Sequence, residues 1–421
     1  MSLGEAELTA AAPVELIQSA DARSLRERLI PVVLIGANIL NMFAVVALSP
    51  SMAVIGQHFT GNSDLGPLAL IFGSNGGGAL VAQLMITLLG IGNMVGGPIA
   101  GFLAARIGNR NLLSLALILF TATGVAGLLV NAPLSFLAAR FLQGIACAAI
   151  LVAIMSIIGE RYQGDARAKF LGLQGAIVSA SGFVALFLGG EVAEWGGWRA
   201  PFALFVPAVL MLPLALFALP PTPARRAETT AAGGWGVLLR LWPFYLMLIP
   251  FYMAAYMTTV HLSFVLAGDG VTRPQSQGLI MTASMVFNII GAMSYGMLMT
   301  KLGRRWVFVI ILGIFGASDL TIGLLADAIG STAGCWVAGL AGGLMTPFFT
   351  NAILDKTGAA MRGRALGLMY ATMYIGDFLN PFAMTPLRLQ IGNHPTFAVV
   401  GAALAAVTLL QALSRRSPVG D

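Results

Sequence analysis

Three charged side chains fall inside long apolar stretches of the chain: Arg140, Asp319 and Asp377. A charge at the centre of a bilayer costs roughly 2.5 to 3.5 kcal/mol on insertion scales, so each retained one needs a reason. A carboxyl that is alternately wetted and dried can load and release a proton, which makes Asp377 a candidate proton carrier. Tyr370, Tyr374 and Asp377, at i, i+4 and i+7, share one helix face, and Asn380 and Pro381 follow. The competing reading is an aspartate that fixes a helix break beside Pro381. Arg140 shares a stripe with Gln143 and Cys147. Its guanidinium either tunes the carboxylate's proton affinity, binds an anionic group of a ligand, or hydrogen-bonds backbone carbonyls between helices.

Other chemistries lack their residues. There is no Gly-rich phosphate loop ending in Gly-Lys-Ser/Thr, no metal-spaced His/Cys cluster and no nucleophile with its base, so no enzyme, cofactor or metal is expected. Cys147 and Cys335 fall in apolar stretches and set up no disulfide framework. His58 and His394 fall in outer loops and His261 near the outer end of the seventh span, where a pH-sensing role stays open.

The elements that must carry these residues follow from composition. Of 421 residues, 58% are hydrophobic and 10% charged, against roughly 25% charged in a soluble domain. Stretches near the roughly 20 residues a spanning helix needs recur along the chain. They cover Leu29 to Val54, Ala79 to Leu103, Leu112 to Val130, Leu134 to Ile158, Phe170 to Gly190 and Pro201 to Leu219. Beyond Pro220 to Arg240 come Leu241 to Leu266, Leu279 to Met299, Trp306 to Leu325, Ala333 to Leu354, Ala365 to Pro386 and Phe397 to Leu413. The reading is an all-α integral membrane protein of 12 transmembrane helices. Its parts are an N-terminal tail (1–28), a six-helix bundle (29–219), a linker (220–240), a second six-helix bundle (241–413) and a short tail (414–421).

With alternating connections and both termini inside, 19 of the 23 basic residues lie on the inner side, and Arg199, Arg273 and Arg388 lie outside. Both termini are therefore expected in the cytoplasm, with the protein in the inner (plasma) membrane. The same bias explains the net charge of +6 without nucleic acid. The first 28 residues lack a basic region leading into an apolar core, so they do not read as a signal peptide. They either rest on the inner membrane surface or form a solvated tail.

Shifting the chain by 195 residues reveals an internal repeat. Asn93 falls on Asn288, Gly96 on Gly291, Gly101 on Gly296, Arg106 on Lys301, Gly108 on Gly303, Arg110 on Arg305, Gly144 on Gly339 and Glu160 on Asp355. Six spans separate the copies, an even number, so the halves share one orientation about an axis along the membrane normal. Arg140 and Asp377 have no charged counterpart: their partners are Cys335 and Gly182. Asn93 and Asn288, being repeated, are read as packing groups, and so are the glycines four apart at Gly92, Gly96 and Gly97, Gly101.

The run Gly101-Phe-Leu-Ala-Ala-Arg106-Ile-Gly108-Asn-Arg110, echoed from Gly296 through Lys301, Gly303 and Arg304 to Arg305, resembles the Gly-x-x-x-Asp-Arg-x-Gly-Arg-Arg loop of the major facilitator superfamily. The acidic position is Ala105 in one copy and Thr300 in the other, which removes the carboxylate that helps lock the inner side in that family. The remaining basic groups are free to bind headgroups or helix C-termini. Arg140-Phe-Leu-Gln143-Gly144 resembles the Arg-x-x-Gln-Gly motif of its proton-coupled drug exporters, and Gly197-Trp198-Arg199 is similar to a run found there. Span five lacks their Gly-Pro: Phe183 follows Gly182.

The resemblance implies two bundles that expose a central site alternately to either side, driven by protons. Export of small amphipathic or hydrophobic compounds is the leading expectation; the alternatives are symport or exchange of an organic anion, and a transporter-like sensor or scaffold that carries nothing. Expected partners are a small-molecule substrate, protons and membrane lipids, and the chain is expected to act as a monomer. By the same resemblance Asn38 and Asn41 on span one, and Tyr252 and Tyr256 on span seven, line the cavity; with Gln143, Tyr370, Tyr374 and Asn380 they are the candidate substrate contacts. Span nine is an outer helix, so Asp319 is expected to bond a neighbour or serve a partner surface. Glu160, Asp355 and Asp327 are expected to be simply solvated. Thirteen of 20 methionines follow Arg240, which suits either an adaptable apolar site or ordinary packing.

Overall fold

The computed structural model describes residues 11–60, 67–220, 241–357 and 362–414. The expected linker, apart from Pro220, residues 1–10 of the N-terminal tail and the C-terminal tail beyond Ser414 lie outside these, whereas the rest of the N-terminal tail is helical and runs on into the first span. The first half consists of α1 (Ala11–Val46), α2 (Met52–Phe59), α3 (Pro67–Ile107), α4 (Asn109–Leu129), α5 (Pro133–Arg161), α6 (Gly164–Gly196) and α7 (Ala208–Ala218). The second consists of α8 (Trp242–Ala255), α9 (Met257–Gly268), α10 (Pro274–Leu325), α11 (Ala328–Lys356), α12 (Arg362–Ile391) and α13 (Asn393–Leu413). The described residues include no strand.

Among the described residues, ten helical stretches are long and apolar enough to cross a membrane. One of them, α10, has 52 residues, about 78 Å at 1.5 Å per residue, against a hydrocarbon core of about 30 Å. It is two crossings that reverse at Gly303, whose φ of 75° and ψ of 170° are non-helical. Its repeat partner Gly108, with φ of 81°, makes the equivalent turn between α3 and α4, and only glycine adopts such angles at little cost. Helix α12, more polar but 30 residues long, completes twelve crossings.

The two halves repeat one packing scheme. A Cβ on Gly144 would stand 2.1 Å from the Leu89 carbonyl oxygen, and one on Gly339 would stand 2.3 Å from that of Ser284; these pairs are 195 residues apart. Gly92 and Gly96 also press on α5, with added Cβ atoms 2.0 Å from the Phe141 carbonyl oxygen and 2.8 Å from the Ile145 Cα, whereas Gly97 and Gly101 face open space. Each half has its own buried apolar cluster, with Phe59, Phe136, Phe202 and Phe205 in the first and Phe251, Phe308, Phe348 and Phe349 in the second. Large apolar side chains such as Leu210, Met293 and Leu409 are exposed on the outside, as a lipid-facing surface requires.

The end that carries the Gly108 and Gly303 turns, called here the turn end, is tied within each half. Arg110 donates to the Leu216 carbonyl in the last turn of α7 at 2.6 Å, and Arg305 donates to the Gln411, Ala412 and Ser414 carbonyls at the end of α13. Both basic groups thus meet the negative end of a helix dipole. Asn109 donates to Glu160 at 3.0 Å, and Arg304 pairs with Asp355, again 195 residues apart. Glu160 and Asp355 are therefore engaged rather than simply solvated. Asp327 is engaged too: it caps α11 by accepting from the Gly330 amide.

Candidate functional site

The seam between the halves is shut at the end opposite the turns, the far end. A Cβ on Gly190 of α6 would lie 2.6 Å from the Pro274 carbonyl oxygen of α10. The Ala53 amide donates to Ser263 at 3.1 Å, and Arg273 pairs with Glu194 at 2.9 Å. Toward the turn end the halves diverge. Added Cβ atoms at Gly97, Gly101, Gly175, Gly296 and Gly367 would meet nothing within 4 Å.

Asp377 sits where the opening stops. Helix α12 runs unbroken through Pro381 and Pro386, so Asp377 fixes no helix break. The carboxyl is buried, and its Oδ1 has no hydrogen-bond partner. Tyr256 and Tyr374 lie within electrostatic reach of it, and Tyr252 and Tyr370 within reach of Tyr256. The close pass of α12 against α8 at Gly376, where a Cβ would stand 2.8 Å from the Ile249 carbonyl oxygen, brings the two tyrosine pairs together. Tyr370, one turn nearer the turn end, is 41% exposed, whereas Tyr252 is buried. Asn93 on α3 donates to the Tyr374 hydroxyl at 3.3 Å, and Gly90 leaves room for the Tyr374 ring. Asn93 thus links the halves instead of serving only to pack its own. Twofold repetition is a poor guide to its role, because the cavity is where equivalent faces of the two halves meet.

Arg140 is only 1% exposed and fully committed. Nε donates to the Met85 carbonyl at 2.8 Å, Nη2 to the Ala44 carbonyl at 2.8 Å and Nη1 to Gln143 Oε1 at 2.5 Å. The Ala44 carbonyl belongs to the last turn of α1, where the helix stops before resuming as α2. The guanidinium therefore holds a helix end with its negative dipole. Asn41 donates to the Cys147 carbonyl at 3.4 Å and keeps Oδ1 without a partner, as Gln143 keeps Nε2. Asn38 is half-buried one turn earlier. Asn380 turns away from the tyrosines: it donates to the Met253 carbonyl and meets the His261 ring in the far-end seam. Asp319 is buried beside Gly401 of α13, away from the opening, with Oδ2 unpaired; nothing in the structure explains it.

Beside Tyr256 lies a cavity of about 320 Å³. It lies mostly in the second half, lined by Met281, Met285, Met345, Phe315 and Leu262, and is closed by Val45, Val46 and Leu186 of the first. Hydroxyl and amide groups, Ser284 and Asn288 among them, also line it, and it has no charged one. Of the methionines in the second half, Met257 and Met369 are instead buried in that half's apolar core.

Twelve crossings in two matched bundles, with a carboxyl held between them and an opening at one end only, define a multi-pass membrane protein with a central site. The chain belongs to the Major Facilitator Superfamily, whose model matches residues 34–272 and 270–420. It is 32% identical over 109 residues to a methylenomycin A resistance protein of Bacillus subtilis, covering 25% of this chain and 23% of that one. It is 30% identical over 152 residues to the quinolone resistance protein NorB of Staphylococcus aureus, covering 36% and 32%. The matched stretches thus span about a quarter to a third of these relatives. A D-xylose-proton symporter shares the fold with a TM-score of 0.69 at 16% identity, covering 92% of this chain and 98% of the other. The human organic anion transporter MFSD10 does so with a TM-score of 0.62 at 16% identity, covering 91% and 99%.

Proposed function

We propose that the protein is a secondary transporter that exports a small amphipathic or hydrophobic compound in exchange for protons, by alternating access. The observation that carries this is Asp377, buried between the halves with an unpaired oxygen among four tyrosines. A proton on this carboxyl and a ligand among the rings would compete for one place, which is what exchange requires. The methionine-lined cavity beside Tyr256 offers the apolar part of a ligand an adaptable wall. The resistance proteins among its relatives support export.

The protein works as a monomer in the inner membrane, with its termini and the turn end in the cytoplasm, so the present state is inward-open. That orientation is supported by the basic residues gathered at the turn end. An organic anion as substrate is disfavoured, because Arg140, the cation nearest the centre, already donates to three acceptors.

The test is a pH-gradient assay in liposomes that compares lipophilic cationic dyes with carboxylate compounds. Asp377→Asn is expected to abolish dye-linked proton flux while leaving the protein folded. Unchanged flux in that variant overturns the reading, and flux linked only to carboxylates replaces it with the anion alternative.

A further inference from the structure

One chain of hydrogen bonds crosses the far-end seam. Thr385 donates to Gln83 Oε1 at 2.6 Å, Gln83 Nε2 lies 3.0 Å from His261 Nδ1, and His261 Nε2 lies 2.8 Å from Asn380 Oδ1. Asn380 Nδ2 then donates to the Met253 carbonyl at 2.7 Å. Gln83 belongs to α3 of the first half; His261 on α9, and Asn380 and Thr385 on α12, belong to the second. None of the four side chains has any exposed surface.

The chain fixes the state of the ring. The Met253 carbonyl only accepts, so Asn380 turns its NH₂ there and its oxygen to His261, whose Nε2 must carry a proton. With Gln83 donating to Nδ1, the neutral imidazole is satisfied on both sides. A second proton on Nδ1 can keep its hydrogen bonds if the Gln83 amide turns over and Thr385 accepts. What it cannot regain is hydration, and a buried charge without a partner is costly.

The surroundings offer mixed compensation. From α12, Asp377 stands one turn before Asn380, and Arg388 stands one turn after Thr385, buried with its guanidinium 4.5 Å from the Phe264 ring centroid. Around Gln83, α3 carries no titratable group. On α2, His58 is occupied by stacking on Trp198. Asp269, just past α9, is taken up by His394 and Ser331, and from α10 the seam receives the uncharged Gln277, bonded to Ser263.

We infer that His261 is the proton-operated pin of the far-end seal: neutral, it closes the two halves on each other; protonated, it favours the state in which the far end is open and water reaches the ring. The inference rests on alternating access but not on the identity of the substrate. The sign follows from linkage: the proton binds where the ring is wet, so falling pH favours the open form. A water-exposed imidazole titrates near about 6.5. Each pH unit below that raises the open-to-closed ratio by up to about tenfold, as long as the sealed ring stays neutral.

The test uses the full-length protein in detergent, with Cys147→Ala and Cys335→Ala, and a reporter Ala53→Cys, whose backbone amide bonds Ser263 across the seam. Its maleimide labelling is normalised to Gln57→Cys, an exposed position on the same helix. The normalised labelling is expected to rise about fivefold between pH 6.5, where the wet ring is half protonated, and pH 5.5. With His261→Gln it stays flat, and with His58→Gln, a histidine outside the hydrogen-bond chain that stacks on Trp198, the rise persists. A flat parent, a rise that survives in His261→Gln, or a rise that vanishes in His58→Gln overturns the inference. If His261→Gln does not fold, Gln83→Leu takes its place: labelling already high at pH 8 is expected, and parental behaviour overturns the inference. No transport is measured, so failure of proton-coupled export leaves this result standing.

Discussion

Gly190→Ala separates a seam that moves from one that does not. Its new methyl would stand 2.6 Å from the Pro274 carbonyl oxygen and 3.1 Å from the Gly278 Cα, where ordinary contact begins at 3.4 Å. Helices α6 and α10 must therefore part by up to roughly 0.8 Å, against interiors that pack as densely as crystals. Such overpacking costs about 1–3 kcal/mol. The cost falls only on the state in which the far end is shut, so the open-to-closed ratio shifts roughly 5- to 150-fold. Labelling of Ala53→Cys is expected to rise accordingly, with little change in the melting temperature. Gly144→Ala is the control. Its methyl would stand 2.1 Å from the Leu89 carbonyl oxygen, within one half, where no state of the cycle relieves it, so it is expected to lower the melting temperature and leave labelling unchanged. If Gly190→Ala merely melts early, as Gly144→Ala does, the division into two rigid halves is wrong.

Two further substitutions probe the ties within the halves. Arg140→Lys puts one ammonium where three acceptors on three helices were served. It is expected to cost about 1–3 kcal/mol in unfolding experiments without changing substrate affinity, and an altered affinity at unchanged stability would return Arg140 to the list of ligand contacts. Arg305→Ala removes the cation that caps α13; a loss of about 0.3–1 kcal/mol is expected, shrinking as salt is added, and a loss insensitive to salt argues against a dipole contact.

The membrane class, the twelve crossings and the repeat were legible in the sequence because each rests on a regular signal: apolar length, basic loops and a constant offset of 195. The Asp377 helix face was legible for the same reason, since i, i+4 and i+7 must align on a helix. What brings Tyr252 and Tyr256 to that face is Gly376 pressing α12 on α8, a tertiary fact with no local mark. The His261 chain was harder still. Gln83 and Thr385 are 302 residues apart, and a lone glutamine in an apolar span looks like any interhelical bond. The bond of Asn93 to Tyr374 has no local mark either, because repetition signals symmetry and not which side chain is met. The role of Arg140 stayed ambiguous, since its type and position do not reveal that α1 would end at Val46 beside it.

The caps at Arg110 and Arg305 have a consequence for how the chain is assembled. Each ties the last crossing of its half back to the turn between the second and third, closing that half into a ring of contacts independent of the peptide that joins the halves. Cutting the backbone between residues 221 and 240 would leave two closed rings, each still tied to itself. The covalent link therefore sets stoichiometry, one copy of each half per molecule, and the parts of the machine cohere without it.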